Sequence, residues 1–502
     1  DGAAGYHTPQ DVPERLDRGT LQALGDNALG VVRELGNRDL APLAEQGADD
    51  TAYFPVLGEL IQYPARWVRP LALAGLVMVG LLAVVARRRG LSSLPRTAAG
   101  AALAAVPLVA APLAAQGLWW LLVAIRPEYG QMIDPWRPGW YRLATIAVLA
   151  AVVLAWYAAL RRRMSAVPLA LGGLVWLAVL GAVLAAVAPG GAYLATLPAL
   201  AGALTGLVAV LTPWRWLQLA AVLIGGGVAV VVLAPTVALF LPALGLSVAA
   251  APAAVATLLL VALLPAAELL FPEGPAPWPS TALVPGVAGV VAVACGLVGL
   301  SVDRFDADHP VPTRLAYVLD TERDQAWWVS TESDPGTWTA PYVPGGDPLP
   351  DDYPYLTDDV VTGPASTADL RAPSVEVLNE RDAGNSREFA LTVTPQRADV
   401  RFVTVEVTAD EGTVVRARAA GGAVPEESLG EDRLLLTFHA PPADGLRLEF
   451  AVQGGGPVTV RAVDASHGLS GLPGFTPRPS GVDAAGSHSA DLVLVSTTTT
   501  LD

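Results

Sequence analysis

From Trp67 to Leu300 the chain is a succession of long apolar runs separated by short polar joints. Each run approaches the roughly 20 residues that cross a bilayer core as a helix. The pattern predicts spans at Trp67–Ala86, Ala101–Ile125, Leu143–Leu160, Val167–Val187, Ala192–Leu211, Leu217–Leu233, Pro235–Phe271 and Ala282–Leu300. The run Pro235–Phe271 is 37 residues long and contains Pro242 and Pro252. It reads either as one long broken helix or as two short ones meeting near Ala249–Ala251. The expectation is a polytopic helical bundle over 66–300 with eight spans, or nine if that run divides. An even number returns both polar flanks to one side, which favours eight.

At Ser301 the apolar period changes to two. "RLAYVLD", "QAWWVST", "EFALTVT", "DVRFVTVEVTA", "RLLLTFHA" and "DLVLVSTTTT" alternate apolar with polar residues and are punctuated by Gly, Pro and Asp turns. This predicts an all-β, antiparallel sandwich-like domain over 301–502. "GTWTAPYVPGGDPLPDDYPYL" reads as a long loop within it. The adjacent Trp327 and Trp328 must point to opposite faces of a strand, which predicts one in the core and the other exposed or covering a membrane-facing surface. Residues 1–65 are polar and mixed. Leu21, Leu24, Ala28, Val31, Val32 and Leu35 recur at helical spacing, with Thr20 as candidate cap and Gly36 as stop.

Composition agrees with a membrane protein: 53% of the 502 residues are hydrophobic and 16% charged, with a mean hydropathy of +0.46. The single cysteine, Cys295, lies inside an apolar run, so no disulfide can form within the chain and thiol catalysis has no support. The basic residues are all arginine, a bias that fits a GC-rich coding sequence. Charge is divided: 66–300 holds 13 arginines against Glu128, Asp134, Glu268 and Glu273, a net +9, and the flanks carry the remaining −25. Two acidic flanks argue against a nucleic-acid partner and leave the lipid bilayer as the evident one.

Arginine in short loops sets the orientation. Arg87, Arg88, Arg89 and Arg96, then Arg161, Arg162 and Arg163, then Arg215 all fall at one end of the predicted bundle. The cytoplasm is expected there, with both flanks extracytoplasmic, and the composition favours a bacterial plasma membrane.

Chemistry is sparse. H-E-x-x-H, the phosphate-binding G-x-x-x-x-G-K-[ST] and G-x-S-x-G are all absent. The glycines of "LIGGGVAVVV" suit close helix packing. Glu268, an acid within an apolar run, is a candidate for an ion path, but its proximity to Pro272 and Glu273 lets it reach the interface. His309 lies among Asp303, Asp306 and Asp308, which read as a solvated linker; His439, His467 and His488 have no ligand spacing. The leading "GYHTPQDVPERLD" sets His7 between Tyr6 and Thr8, with Asp11 four residues on and Pro9 and Pro13 stiffening the segment. A carboxylate or carbonyl at the second ring nitrogen is how zinc-binding histidines are oriented. A lone loop histidine is more often a surface hydrogen-bonding group, so spacing by itself leaves both readings open.

"YHTPQDVPERLDRGTLQALGDNALGVVREL" resembles the closing segment of the catalytic domain in the di-zinc aminopeptidase-like metallopeptidases, peptidase family twenty-eight. In that family a Tyr-His-Thr/Ser-x-x-Asp stretch precedes the last helix. The order of parts is similar to the membrane-bound branch of vacuolar membrane protease and endoplasmic reticulum metallopeptidase type, and "YVLDTERDQAWWVST" is similar to the start of its last domain. The resemblance implies that 1–65 are the C-terminal end of an α/β zinc peptidase domain plus a linker. It implies His7 as a ligand to one of two zinc ions and a peptide substrate. The other ligands and the general base would then lie before Asp1, so this stretch would not be a competent enzyme by itself. The expected function is a membrane-anchored, zinc-dependent, aminopeptidase-like exopeptidase. The alternative is a polytopic transporter or envelope assembly protein with an extracytoplasmic β-domain.

Overall fold

The computed structural model describes residues 3–44, 50–271, 278–351, 353–356, 360–430, 433–486 and 489–501. Contacts divide the chain into a helical unit, Val12–Arg304, and a β-rich unit, Phe305–Asp502, which also takes in Gly5–Asp11.

The helical unit opens with α1 (Arg18–Gly36) and the short α2 (Ala41–Ala44). The cap of α1 is Asp17 rather than Thr20: the Thr20 backbone N–H donates to Asp17 Oδ2 at 2.7 Å, satisfying a donor the first turn leaves open. None of the side chains of α1 is buried. Among the described residues this stretch is an amphipathic helix whose apolar face is exposed. A hairpin the periodicity did not predict follows, β1 (Thr51–Val56) against β2 (Glu59–Pro64). Its turn residues Leu57 and Gly58 both have positive φ, 51° and 92°, which matches the twist of a two-residue hairpin. Ala52 of β1 packs with Val68, Ala72, Ala185 and Ala192, and Phe54 stacks on Tyr193 at 4.8 Å.

The spans are α3 (Val68–Arg88), α4 (Leu94–Ile125), α5 (Gly139–Met164), α6 (Ala166–Val187), α7 (Tyr193–Leu211), α8 (Arg215–Leu244) and α11 (Trp278–Val302). Between the last two lie α9 (Ala250–Ala262) and α10 (Leu264–Ala267), whose axis turns by 59° near Leu263. Among the described residues seven helices are long and apolar enough to cross a membrane, or eight with the bent pair as one span. The protein is an integral membrane protein, and among the described residues no ninth span is found. The ambiguous run is cut a few residues before the expected joint near Ala249–Ala251. Residues 235–244 belong to α8, which continues through Pro235 and Pro242, and the chain turns at Gly245–Ala249. Proline removes a single helical hydrogen bond, a loss tolerated where neighbouring helices pack around it.

Small residues bring these helices together. Gly100 of α4 meets Gly172 of α6 so closely that a Cβ on Gly172 would lie 2.3 Å from the Gly100 carbonyl oxygen. Within the "GGG" run, a Cβ on Gly225 would strike Thr205 of α7 and one on Gly226 would touch Leu263, as expected of packing glycines.

The β-rich unit contains β3 (Val311–Thr313), β4 (Leu315–Asp320), β5 (Gln325–Ser330), β6 (Val361–Ala365), β7 (Ser374–Asp382), β8 (Arg387–Thr394) and β9 (Val400–Ala419). It continues with β10 (Gly422–Ala423), β11 (Arg433–His439), β12 (Leu446–His467), β13 (Val482–Ala484) and β14 (Leu492–Leu501). Ten of these form one sheet, and β13 pairs with β3. The sheet is not wholly antiparallel, because β14 runs parallel to β4. The long strands β9 and β12 each serve two segments of the sheet. The first half of β9 pairs β11 and the second half of β12; the second half of β9 pairs the start of β12, which also pairs β8. Register shifts near Gly455 let the sheet fold over a common core that includes Val405, Leu391, Phe450 and Val460.

Both faces of the β14–β4–β5 region are covered. Tyr317 and Trp328 lie in one cluster, Val318 and Trp327 in the other, so both tryptophans are buried and the expected exposed one does not occur. The loop between β5 and β6 wraps this region: Trp338, Tyr342 and Val343 cover one face, Leu349, Tyr353 and Leu356 the other.

Candidate functional site

The segment carrying His7 is short and held largely by its backbone. The Thr8 N–H donates to Gly5 O at 3.1 Å, and the Asp11 N–H to Thr8 O at 3.0 Å. Thr8 Oγ1 also bonds Gly5 O at 2.8 Å, and the His7 N–H reaches Asp11 Oδ2 at 3.4 Å. Asp11 thus serves the backbone of His7. His7 itself has φ +58°, the left-handed region that is uncommon for non-glycine residues and in which histidine is one of the more frequent. Its ring stacks on Tyr6, centroids 3.7 Å apart and 23° between planes, and both side chains are exposed.

This segment belongs to the β-rich unit. Gln10 Nε2 donates to Asp483 Oδ2 on β13 at 2.6 Å. The backbones of Tyr6 and His7 press on Gly486, where a Cβ would fall 2.3 Å from His7 O and 2.7 Å from Tyr6 O. Asp483 is tied in turn, its carbonyl accepting from Thr313 Oγ1 at 2.9 Å on β3 and its Oδ1 from the Ala484 N–H at 2.8 Å.

The other singled-out residues are drawn into local structure. Glu268, at the end of the bent pair, is held by Arg161: Nε donates to Oε2 at 3.1 Å and Nη2 to Oε1, while Tyr157 O–H donates to Oε2. The pair joins α5 to the bent segment and gives Glu268 a fixed cationic partner from the arginine triplet. His309 Nδ1 lies 2.8 Å from Asp306 Oδ1, which also accepts the Asp308 and His309 N–H groups, so this linker is an ordered turn. His439 Nε2 lies 2.9 Å from Tyr355 O–H. His467 is exposed at the end of β12. His488 lies outside the described residues, as do Pro272 and Glu273.

One polar cluster had no motif to reveal it. Asp303, at the end of α11, accepts from Tyr129 O–H at 2.6 Å and from the Arg137 N–H at 2.8 Å. Arg126 donates to Tyr129 Oη at 3.0 Å and to the Leu300 and Asp303 carbonyls. Since the Tyr129 proton goes to Asp303, Tyr141, 3.0 Å away, donates to Tyr129. Beside them Asp134, fully buried, pairs with Arg142 at 2.5 Å and accepts the Leu246 N–H at 3.2 Å, fastening the 126–138 loop to the turn between α8 and α9. Burial pushes the Asp134 carboxyl up to about 6, against the opposing pull of Arg142 and the Leu246 N–H and with a further push from Asp303. The bonded residues are 3 to 177 positions apart in sequence, and the helix arrangement brings the distant ones together.

No protein-family model matches the chain, and no curated protein matches it.

Proposed function

We propose that the protein is a membrane-anchored, zinc-dependent exopeptidase of the aminopeptidase-like kind. In this reading these residues are its non-catalytic C-terminal part and supply one ligand, His7. The observation that carries the proposal is the presentation of His7: an exposed imidazole in a left-handed backbone, on a loop fixed from both sides, within the stretch that resembles the family's last ligand. A single imidazole fits one position of a zinc shell. Among the described residues no group of three or more His, Cys, Asp or Glu could hold a metal, so the proposal takes the remaining donors from sequence before Asp1. The metal would supply Lewis-acid polarisation of the scissile carbonyl and activation of water. The part of His7 is to offer a ring nitrogen in a direction set by Tyr6 and the loop. The spans tether the site to the bilayer. The arginine-rich loops face the cytoplasm and both flanks the outside, in a bacterial plasma membrane.

The bent pair α9–α10, with Glu268 at its end, favours the alternative of a transporter, since broken helices and intramembrane carboxylates line transport sites. The bidentate partner Arg161 favours a structural clamp instead.

The test is zinc content and aminopeptidase activity of the protein expressed with about 300 residues preceding Asp1, roughly one or two domains. Two zinc ions per chain are expected, about the number a two-metal hydrolase needs. His7→Ala should lose one ion and the activity. A protein that binds no zinc, with His7→Ala indistinguishable from it, would refute the peptidase reading.

A further inference from the structure

Val405 and Val407 of β9 lie in the apolar core of the β-rich unit, so the alternating Thr404 and Glu406 face the other side of the sheet. Register gathers polar partners around them across three strands. Glu406 lies opposite Leu435 of β11 and Arg461 of β12, and Thr404 lies opposite Thr437 and Val463. The turn Tyr353–Leu356, closed by the Leu356 N–H on Tyr353 O at 3.2 Å, supplies the facing wall of a cavity of about 380 Å³.

Two features distinguish this cavity from a packing gap. The first is its charge. Arg433 Nε lies 2.6 Å from Glu406 Oε1, and Arg461 Nη1 lies 3.6 Å from Glu406 Oε2. Arg461 is 8% exposed, with its guanidinium 4.4 Å from the centroid of the Tyr353 ring, so the cation is fixed and largely removed from water. Asp351, 4.0 Å from Arg461 Nε, does not line the cavity and is engaged by Arg323 at 2.6 Å. The described walls thus carry two guanidinium groups against one carboxylate. The second feature is the turn. Tyr355 follows Pro354 at its third position with φ +61°, where Gly or Asn is the unstrained choice. Its ring packs edge-on against Phe402 at 4.8 Å, and its hydroxyl lies 2.9 Å from His439 Nε2. The result is a rigid aromatic wall beside two cations.

We propose that this cavity binds a small organic monocarboxylate, with the carboxylate between Arg433 and Arg461 and the apolar body against Tyr355, Leu435 and Val463. One negative charge matches the surplus on the walls, and a guanidinium fork is shaped for a carboxylate. Thr404 and Thr437 share one hydrogen bond at 3.0 Å, which uses one of their two hydroxyl hydrogens and makes the second a donor for the ligand. Glu406 is an internal competitor, because it draws on both guanidinium groups that the ligand must engage. The assignment is independent of the role of His7.

The test is isothermal titration calorimetry of the detergent-solubilised protein with benzoate and isovalerate, an aromatic and an aliphatic monocarboxylate. Benzamide is the neutral analogue and phenyl phosphate the phosphate one. A carboxylate should bind, benzamide should not, and phenyl phosphate should bind more weakly. Arg433→Gln should weaken carboxylate binding by about 10-fold or more, the worth of a hydrogen bond to a charged group. Glu406→Gln should tighten it, an opposite sign that a purely structural ion ladder does not produce. Arg461→Gln should act as Arg433→Gln does; if that buried substitution does not fold, the Arg433 and Glu406 variants decide. Binding left unchanged by Arg433→Gln and Glu406→Gln would put the carboxylate elsewhere and overturn the assignment. Failure of both carboxylates to bind at millimolar concentration would also overturn it, as would tighter binding of phenyl phosphate, the mark of a phosphate-ester site.

Discussion

Replacing Gly172 by alanine tests the helix packing at its tightest point. The new Cβ would lie 2.3 Å from the Gly100 carbonyl oxygen, 2.4 Å from its carbon and 2.8 Å from Ala101 N, all backbone atoms that no rotamer change can move. Relief requires α4 and α6 to part by about 1 Å, a gap at which each interhelical contact forfeits roughly a quarter to a half of its dispersion energy. The same movement stretches the bond from Trp176 Nε1–H to Ala101 O, now 2.7 Å. Overpacking of this kind costs about 1–3 kcal/mol, and an interhelical hydrogen bond in a membrane contributes about 0.6 kcal/mol. The expected destabilisation is therefore about 2–4 kcal/mol, since both terms fall on one interface. The assay is reversible unfolding of the helical unit in mixed micelles titrated with a denaturing detergent. Gly117→Ala in the partner helix α4 is the control, because a Cβ there meets nothing within 4 Å. It should be neutral or stabilising by up to about 1 kcal/mol from helix propensity. If Gly172→Ala lies within about 0.5 kcal/mol of wild type, the range of an inconsequential surface change, the close crossing of α4 and α6 is wrong.

Asp134 gives a pH dependence. Its carboxyl is raised from 3.8 to about 6, so the stability linked to its protonated form is fully present below about pH 3.8 and is lost as pH rises through 6. The loss is about 3 kcal/mol at about 1.4 kcal/mol per unit. Asp134→Asn should flatten this part of the profile between pH 4 and 6.5, measured by the same unfolding assay; an unchanged slope would contradict the burial. Glu268→Ala leaves Arg161, 11% exposed, without its carboxylate partner and should cost about 3 kcal/mol. A double-mutant cycle with Arg161→Leu should then give a coupling of about 1–3 kcal/mol, and zero coupling would show that the ion pair does not form. Trp327→Ala and Trp328→Ala should each cost about 3–5 kcal/mol in thermal unfolding followed by near-ultraviolet dichroism, because both faces of β5 are core. A surface-like response from either would expose one face.

The sequence by itself determined most of the spans and their approximate ends, though not the division of 235–271, whose first ten residues extend α8. A bilayer offers no partner for backbone polar groups, so each crossing must be a self-bonded helix about 20 apolar residues long, and that length is written in the chain. It likewise determined that the trailing region is built of strands, since alternation reports a pleated surface with two environments. Where those environments are both apolar, as for Trp327 and Trp328, the period cannot tell buried from exposed. That was decided by the loop 336–356, which wraps both faces. The hairpin at Thr51–Pro64 has no clear periodicity because its strands are six residues long and carry prolines.

His7 was legible as a candidate from its neighbours and a resemblance, but its clamp was not: Asp483 and Gly486 are remote in sequence and have no motif. The Arg161–Glu268 pair and the Asp134–Arg142 and Tyr129–Asp303 cluster were invisible for the same reason. Local spacing encodes helix, strand and turn, because those depend on backbone geometry over a few residues. Which distant charge neutralises a buried carboxylate, and which glycine admits another backbone, depends on the three-dimensional approach of whole elements, and only the tertiary structure supplies that.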